Sequence, residues 1–227
     1  MLQPTWVQIG ADESRDISSY YGITCKSIPF LPFPDLKEVP KREWFDQQGD
    51  DEYLPVNPVF KAYDITTPMV FIGKLDDARD SIYSFLQYLQ GAEFSIYDEY
   101  KKKGVRARYI SYSDDAFYRR DRDIVSFSIK LKVNNPLTYG VQLIDGSFSA
   151  VAGCDLTIYW CDGTKENFLN GAQITKVDIG GTFAIVEPSK LWVTDGFDYS
   201  YPSVRLLTDN YLLLLTPMGV RYVSNAD

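Results

Sequence analysis

One stretch in the first half of the chain has the spacing of an amphipathic helix. Large apolar residues recur there three and four positions apart, at Ile82, Phe85, Leu86 and Leu89. Such spacing places them on a single stripe of a helix surface. Asp76 and Asp77 precede the stripe, where the helix dipole favours negative charge, and Gly91 follows it as a terminator. The pattern predicts a helix over residues 76–91 that covers one face of a sheet.

Alternating apolar and polar positions predict strands on both sides of this helix. The clearest run is Ile124–Val133, in which every second residue from Val125 onward is large and apolar. Further strands are predicted at residues 6–9, at two places within 59–73 separated by a Thr-Thr-Pro turn, at 94–97 and at 105–112. The rest of residues 1–34 is expected to be extended chain and turns, and the acidic residues 35–58 a long loop.

Beyond residue 136 the pattern changes to short apolar runs without helical spacing. Turns rich in glycine, aspartate and asparagine separate these runs, which is typical of a small sandwich or barrel. Charged residues are also dense before residue 136 and sparse after it. The sequence therefore predicts a mainly β protein in two parts. Residues 1–136 form a β-sandwich or barrel with one amphipathic helix, and residues 137–227 form a second, all-β sandwich or barrel domain.

Composition excludes several classes of chemistry. The chain of 227 residues contains no histidine, which removes Ser-His-Asp and Cys-His catalysis and the common histidine-bearing zinc sites. Three cysteines are too few for a four-thiolate zinc site, and Cys154 and Cys161 are expected to be buried thiols. A net charge of -8 makes the chain a poor candidate for binding duplex DNA through its phosphates. Without a long apolar run or a leader-like start, we expect a soluble chain made in a reducing cytoplasm.

Paired carboxylates are the remaining candidates for catalysis. Asp98-Glu99 and Asp114-Asp115 lie at predicted strand ends or loops, and adjacent residues of a strand point to opposite faces. Neither pair alone supplies the two facing carboxyl groups of a glycosidase, so both are interpreted as solvated turn acids. The chain also lacks a phosphate-binding glycine loop and a Gly-x-Ser-x-Gly elbow, and its acidic loop does not match an EF-hand. We therefore predict no catalytic, cofactor-binding or metal-binding residues.

Two features are candidates for contacts between subunits. The first is a set of arginine and aspartate side chains on the first part of the chain. We expect its arginines to form ion pairs, across an interface, with Asp50–Glu52 or with the aspartates of the same set. The residues predicted to take part are Arg106, Arg108, Arg119, Arg120, Asp121, Arg122 and Asp123. The second is the segment Ile-Pro-Phe-Leu-Pro-Phe-Pro at residues 28–34, which its prolines exclude from a central strand. It is interpreted as an extended arm whose Pro29, Phe30 and Phe33 lie on its own core or on another subunit.

The order of these elements resembles that of one known family. The resemblance is carried by the predicted helix at 75–91, the strand at 94–100, the segment Val-Arg-Ala-Arg-Tyr at 105–109, and the strand 124–133 that ends in Asn134-Asn135-Pro136. In this order the first part of the chain is similar to the N-terminal domain of the distal tail protein (Dit) family of long-tailed bacteriophages and prophages.

The resemblance implies a tail-tube-like first domain that packs side by side around a lumen, and a second domain that is often galectin-like. It implies a non-enzymatic virion protein, made in the cytoplasm of the host bacterium, that forms a ring of usually six subunits between the tail tube and the baseplate or tail tip. The implied partners are further copies of the chain, the tail tube protein and hub or tail-tip proteins. DNA passes through the lumen without specific binding, and no membrane is contacted.

Other functions remain open at this point. The second part is rich in tyrosine and tryptophan, which also suits a carbohydrate- or receptor-binding module, because such rings stack on sugars. A hydrolase that uses only aspartate and glutamate is a further alternative. Another tail tube or hub component is a variant of the ring hypothesis.

Overall fold

The computed structural model describes residues 4–31, 34–43, 50–52, 59–113, 124–177 and 179–190. The elements within these ranges are β1 (Thr5–Ile9), β2 (Arg15–Asp16), α1 (Ile17–Tyr21), β3 (Ile23–Cys25), β4 (Lys41–Glu43), β5 (Asp50–Glu52), β6 (Tyr63–Ile72), α2 (Leu75–Leu89), β7 (Phe94–Asp98), β8 (Lys103–Ser113), β9 (Ile124–Val133), β10 (Tyr139–Gln142), β11 (Phe148–Val151), β12 (Leu156–Trp160), β13 (Lys165–Phe168), β14 (Gln173–Lys176) and β15 (Phe183–Pro188). Among the described residues, strands hold 51% and helices 12%, which confirms the predicted mainly β class.

The first part of the chain forms one antiparallel sheet with strand order β2-β1-β7-β8-β9-β6-β3, curled into a half-barrel. Helix α2 covers one face of this sheet. Its apolar stripe is buried against the inward residues of β9, among them Ile129 and Leu131. The predicted helix over 76–91 is confirmed at Leu75–Leu89, and the predicted strand Ile124–Val133 is confirmed with the same bounds.

Strand β6 shows that the prediction of two strands separated by a Thr-Thr-Pro turn is wrong. It runs unbroken through Pro68 and pairs with β9 along its whole length. The Pro68 carbonyl accepts a hydrogen bond from the Lys26 backbone N–H at 2.9 Å, just beyond the end of β3 at Cys25. The N–H and carbonyl of one residue point to the same side of a strand. The donor that proline lacks would therefore face Lys26, beyond the last residue of β3, and the ladder between β6 and β9 does not need it.

Two elements also differ from the expected extended chain and long loop. The start of the chain contains the short helix α1, whose N-terminus is capped by the Asp16 carboxylate. This carboxylate accepts hydrogen bonds from the backbone N–H groups of Ser18 at 3.1 Å and Ser19 at 3.3 Å. The predicted loop at residues 35–58 contains the antiparallel hairpin β4–β5. Five helical residues are too few to show a periodic pattern, which explains why α1 was not expected.

The second part of the chain has two further sheets around its own core. Strands β10, β15, β12 and β13 form a four-stranded sheet in that order, and β11 pairs with β14. Cys154 and Cys161 are buried in this core beside Trp160, which confirms the predicted buried thiols. The apolar runs predicted beyond residue 190 lie outside the described residues. The division at residue 136 stays a prediction, although the two hydrophobic clusters fall largely on its two sides.

Candidate functional site

Two glycines allow the backbones of the two parts to meet. A Cβ placed on Gly140 of β10 would lie 2.4 Å from the backbone nitrogen of Gly104 in β8, closer than carbon and nitrogen can approach. A Cβ on Gly104 would lie 2.6 Å from the Ile185 Cδ1 atom and 2.8 Å from the Ile96 carbonyl oxygen. Strands β8 and β10 therefore cross at a separation that glycine alone permits.

Aromatic rings fill the junction beside these glycines. Tyr97 of β7 and Phe183 of β15 stack with their ring centroids 4.6 Å apart and their planes 5° from parallel. Tyr97 is fully buried and packs in the hydrophobic cluster of the second part, although it belongs to the first sheet. The Ser14 backbone N–H also donates to the Cys161 carbonyl at 2.9 Å. The two parts thus share a packed, largely apolar junction.

Arg106, one of the predicted interface residues, lies at this junction. Its guanidinium carbon is 3.6 Å from the ring centroid of Tyr159 in β12, and its Nη2 atom is 3.8 Å from Glu93 Oε2. Only 14% of its side chain is exposed. Burial raises the pKa of Tyr159 to about 12, while the charge of Arg106 acts in the opposite direction. Arg106 is thus engaged within one chain, and its pairing with another subunit stays a prediction.

Arg108 lies in the part of strand β8 that extends beyond the end of strand β7. Strand β7 pairs with β8 only as far as Ala107, whereas β8 continues alongside β9. We call residues 108–111 the β8 flank; within the described part of the chain, its side away from β9 has no partner strand. Arg108 is exposed, lies opposite Lys132 and makes no ion pair with any described residue. Ile110 is the extra residue of a β-bulge and is 36% exposed.

The proline-rich arm is described at residues 28–31 and at Pro34, which is buried. Ile28 is buried, and its carbonyl accepts a hydrogen bond from Lys101 Nζ at 3.1 Å. Phe30 packs against the core of its own chain, which is one of the two alternatives that the sequence left open. Pro29 is exposed, and Leu31 is 41% exposed. The arm therefore has an inward side fixed to the first sheet and an outward apolar side.

Six other predicted interface residues lie outside the described ranges: Phe33, Arg119, Arg120, Asp121, Arg122 and Asp123. The acidic partner segment Asp50–Glu52 is described as strand β5, and its pairing with arginines of another copy stays a prediction.

The described carboxylates of the candidate pairs support local structure. Glu99 Oε2 accepts a hydrogen bond from the Trp6 indole N–H at 2.7 Å. Asp98 Oδ1 accepts one from the Lys101 backbone N–H at 3.1 Å, across the turn between β7 and β8. Both acids lie at the predicted turn, but they are half-buried and hydrogen-bonded rather than simply solvated. Asp114-Asp115 lies outside the described residues.

Two of the thiols are poor nucleophiles, and polar side chains that line one surface groove are already hydrogen-bonded. Burial raises the pKa of Cys25 to about 12 and also raises that of Cys161, so both thiols are protonated and weakly nucleophilic at neutral pH. An open groove of about 360 Å³ on the second part includes Asn167 and Glu187 in its lining. These two side chains already accept hydrogen bonds, from Thr157 Oγ1 at 2.9 Å and Asn135 Nδ2 at 3.1 Å respectively.

The described ranges contain neither a metal-binding cluster nor a membrane-spanning helix. No group of three or more cysteine, aspartate or glutamate residues there has an arrangement that would hold a metal ion. None of the helices in the same ranges has the length and apolar character needed to cross a membrane.

Arg15 and three tyrosines form a surface cluster that is not apparent in the sequence. We call Arg15, Tyr20, Tyr21 and Tyr88 the tyrosine patch. The guanidinium carbon of Arg15 lies 4.3 Å from the ring centroid of Tyr88 and 5.5 Å from that of Tyr20. Arg15 Nη1 donates to Tyr21 Oη at 3.4 Å, and Nη2 lies 3.4 Å from the Asp12 carboxylate. Helix α1 supplies two of the rings and α2 the third, so only the fold brings them together.

Comparisons with known proteins give a likeness of fold and no match of sequence families. No protein-family model matches the chain, and no curated protein matches it. Among solved structures it is similar to the SPP1 Dit protein (gp 19.1), described as a paradigm of the hub adsorption apparatus in phages that infect Gram-positive bacteria. The superposition has a TM-score of 0.45 at 10% identity and covers 80% of this chain and 97% of that one. At this identity the likeness concerns the fold alone.

Proposed function

We propose that the chain is a structural, non-enzymatic subunit of a bacteriophage tail. Identical copies form a ring of six subunits that joins the tail tube to the baseplate or tail tip. DNA passes through the lumen of this ring without specific binding, in keeping with a net charge of -8 on each subunit. The order of helix and strands in residues 75–136 supports the proposal, because it resembles that of the Dit family.

The β8 flank is the observation that carries the proposal. A strand with one unpaired side offers its backbone N–H and carbonyl groups to another chain. The exposed Arg108 and the bulge at Ile110 discourage indiscriminate pairing at this edge, so a partner must match both the charge and the bulge. The chain carries an excess of acidic residues, so another copy can supply the opposite charge.

The junction between the two parts supports a mechanical role. A ring that joins two assemblies must transmit force without its domains separating. The Gly104–Gly140 crossing and the stacked Tyr97 and Phe183 rings bury the contact between the two parts in a closely packed interior. Among the candidate catalytic groups, Glu99 and Asp98 accept structural hydrogen bonds and burial raises the pKa of the Cys25 and Cys161 thiols, which supports a role without catalysis.

Sedimentation velocity of the full chain tests the proposal. We expect a species of six times the 25.9 kDa chain mass that grows with concentration. Arg108→Glu should shift the distribution towards monomer, because it reverses the charge of the β8 flank. Arg79→Glu is the matched control, since Arg79 is exposed on α2, across the sheet from Arg108.

Each outcome has a defined meaning. A wild-type chain that stays monomeric at every concentration contradicts the ring. An oligomer that tolerates Arg108→Glu as well as Arg79→Glu shows that the copies meet elsewhere than at the β8 flank.

A further inference from the structure

The tyrosine patch has the composition and rigidity of a protein-binding site. Tyrosine and arginine are enriched among the residues that dominate binding energy at interfaces. The guanidinium of Arg15 already contacts the rings of Tyr20 and Tyr88 and donates a hydrogen bond to Tyr21, so its side chain loses little conformational freedom on binding. Tyr20 is nevertheless 65% exposed. A large ring held in place yet open to water marks a surface suited to a partner.

The balanced charge of the tyrosine patch favours an uncharged partner. Asp12 lies 3.4 Å from Arg15 and compensates its charge, so the patch has no excess of positive charge for a phosphate or an acidic peptide. Surfaces lined by aromatic rings are a common docking place for extended, proline-rich segments, which need no opposite charge. Such segments lose little entropy on binding, because proline fixes the backbone in advance.

The arm at residues 28–34 is a segment of this kind, with three prolines among seven residues and apolar side chains between them. Ile28 and Phe30 fix the arm to the first sheet, and the carbonyl of Ile28 is held by Lys101. Pro29 and Leu31, on either side of Phe30, are exposed. Residues 28–31 are therefore held on the sheet of their own copy, and the exposed Pro29 and Leu31, the outward side of the arm, are accessible to another chain.

We propose that the tyrosine patch of one copy receives the outward side of the proline-rich arm of the next copy. This inference rests on the proposed ring and names two of the surfaces that meet in it. The patch and the arm are different surfaces of one chain, so the contact is heterologous. A heterologous contact repeats from copy to copy and closes into a ring when the rotation between copies permits.

Photo-crosslinking with mixed isotopes tests the contact. p-Benzoylphenylalanine replaces Tyr20 in a ¹⁵N-labelled chain, which is mixed with unlabelled wild-type chain and irradiated. Trypsin cleaves after Lys26 and Lys37, so the arm is recovered as the single peptide 27–37. We expect the labelled peptide that contains position 20 to be joined to unlabelled peptide 27–37. The same probe at Leu169, which is 74% exposed on the second part, is the control and should not capture the arm.

Two substitutions measure the strength of the contact. Tyr20→Ser and Leu31→Asp should each weaken self-association about tenfold or more in sedimentation, and the double variant should be little worse than either. Leu169→Asp, the matched control, should leave self-association unchanged.

The outcomes separate this inference from the ring itself. If the chain assembles but position 20 captures another segment, or captures peptide 27–37 only within its own chain, the inference is wrong and the ring stands. If the chain does not assemble, the proposed function fails, and a synthetic peptide of residues 27–35 then tests the patch directly. Crosslinking of that peptide to position 20 supports binding of the arm by the tyrosine patch, and a lack of crosslinking overturns the inference. Capture of an oligosaccharide in place of the arm also overturns it.

Discussion

Replacing Gly140 with alanine should destabilise the protein more than its small size suggests. The added Cβ would lie 2.4 Å from the Gly104 nitrogen, 2.8 Å from the Gly104 Cα atom and 2.8 Å from Tyr97 Cδ2. Two of these three atoms are backbone, and the ladder between β7 and β8 holds them in place. A flexible side chain cannot absorb the clash, so β8 and β10 must separate.

The size of the effect follows from the cost of overpacking a core. Such substitutions typically cost about 1–3 kcal/mol, and a clash against backbone belongs at the upper end, about 3 kcal/mol. For a chain of this length each kcal/mol lowers the melting temperature by roughly 2–4 °C, so we expect a fall of roughly 6–12 °C. Urea denaturation followed by tryptophan fluorescence measures the free energy of unfolding, and calorimetry measures the melting temperature.

Gly91→Ala is the matched control for Gly140→Ala. A Cβ on Gly91 would have no atom within 4 Å, and its backbone does not lie in the left-handed region. The control should change the free energy of unfolding by less than about 0.5 kcal/mol. If Gly140→Ala were equally mild, the close crossing of β8 and β10 would be refuted.

Three more predictions concern local chemistry. Asp16→Ala should lower the free energy of unfolding by about 1 kcal/mol because it removes the cap of α1, whereas Asp16→Asn should cost much less; urea denaturation compares the two, and equal costs would contradict the capping role. Arg106→Lys should cost about 1 kcal/mol in the same assay, since an ammonium group does not stack on Tyr159 as a planar guanidinium does, and an unchanged stability would argue against the contact. Stability should fall as pH rises from about 9 towards 12, because burial raises the pKa of Cys25 and Tyr63 to about 12 and the unfolded chain releases these protons at lower pH. A urea midpoint that does not decrease across this range would contradict that burial.

Elements with a long regular pattern could be predicted from the sequence. Helix α2 and strand β9 were predicted almost to the residue, because each repeats its apolar spacing over many positions. Strand β6 was split wrongly at Pro68. The strand accommodates Pro68 because the hydrogen-bond donor that proline lacks faces the end of β3. A local sequence pattern cannot show where a neighbouring strand ends.

Surfaces made from distant parts of the chain could not be predicted. Gly104 and Gly140 are ordinary turn or strand glycines in the sequence, and only the crossing of two strands explains them. Arg106 has the same local pattern as Arg108, yet the fold places one at the junction and the other on an exposed edge. The tyrosine patch joins rings from α1 and α2, and α1 is too short to be predicted from periodicity.

Electron microscopy of the assembled full chain tests the central claim most directly. Class averages of negatively stained particles at high protein concentration should show closed rings with six-fold symmetry and an open centre. Open filaments, particles without rotational symmetry, or single copies at every concentration would contradict the account.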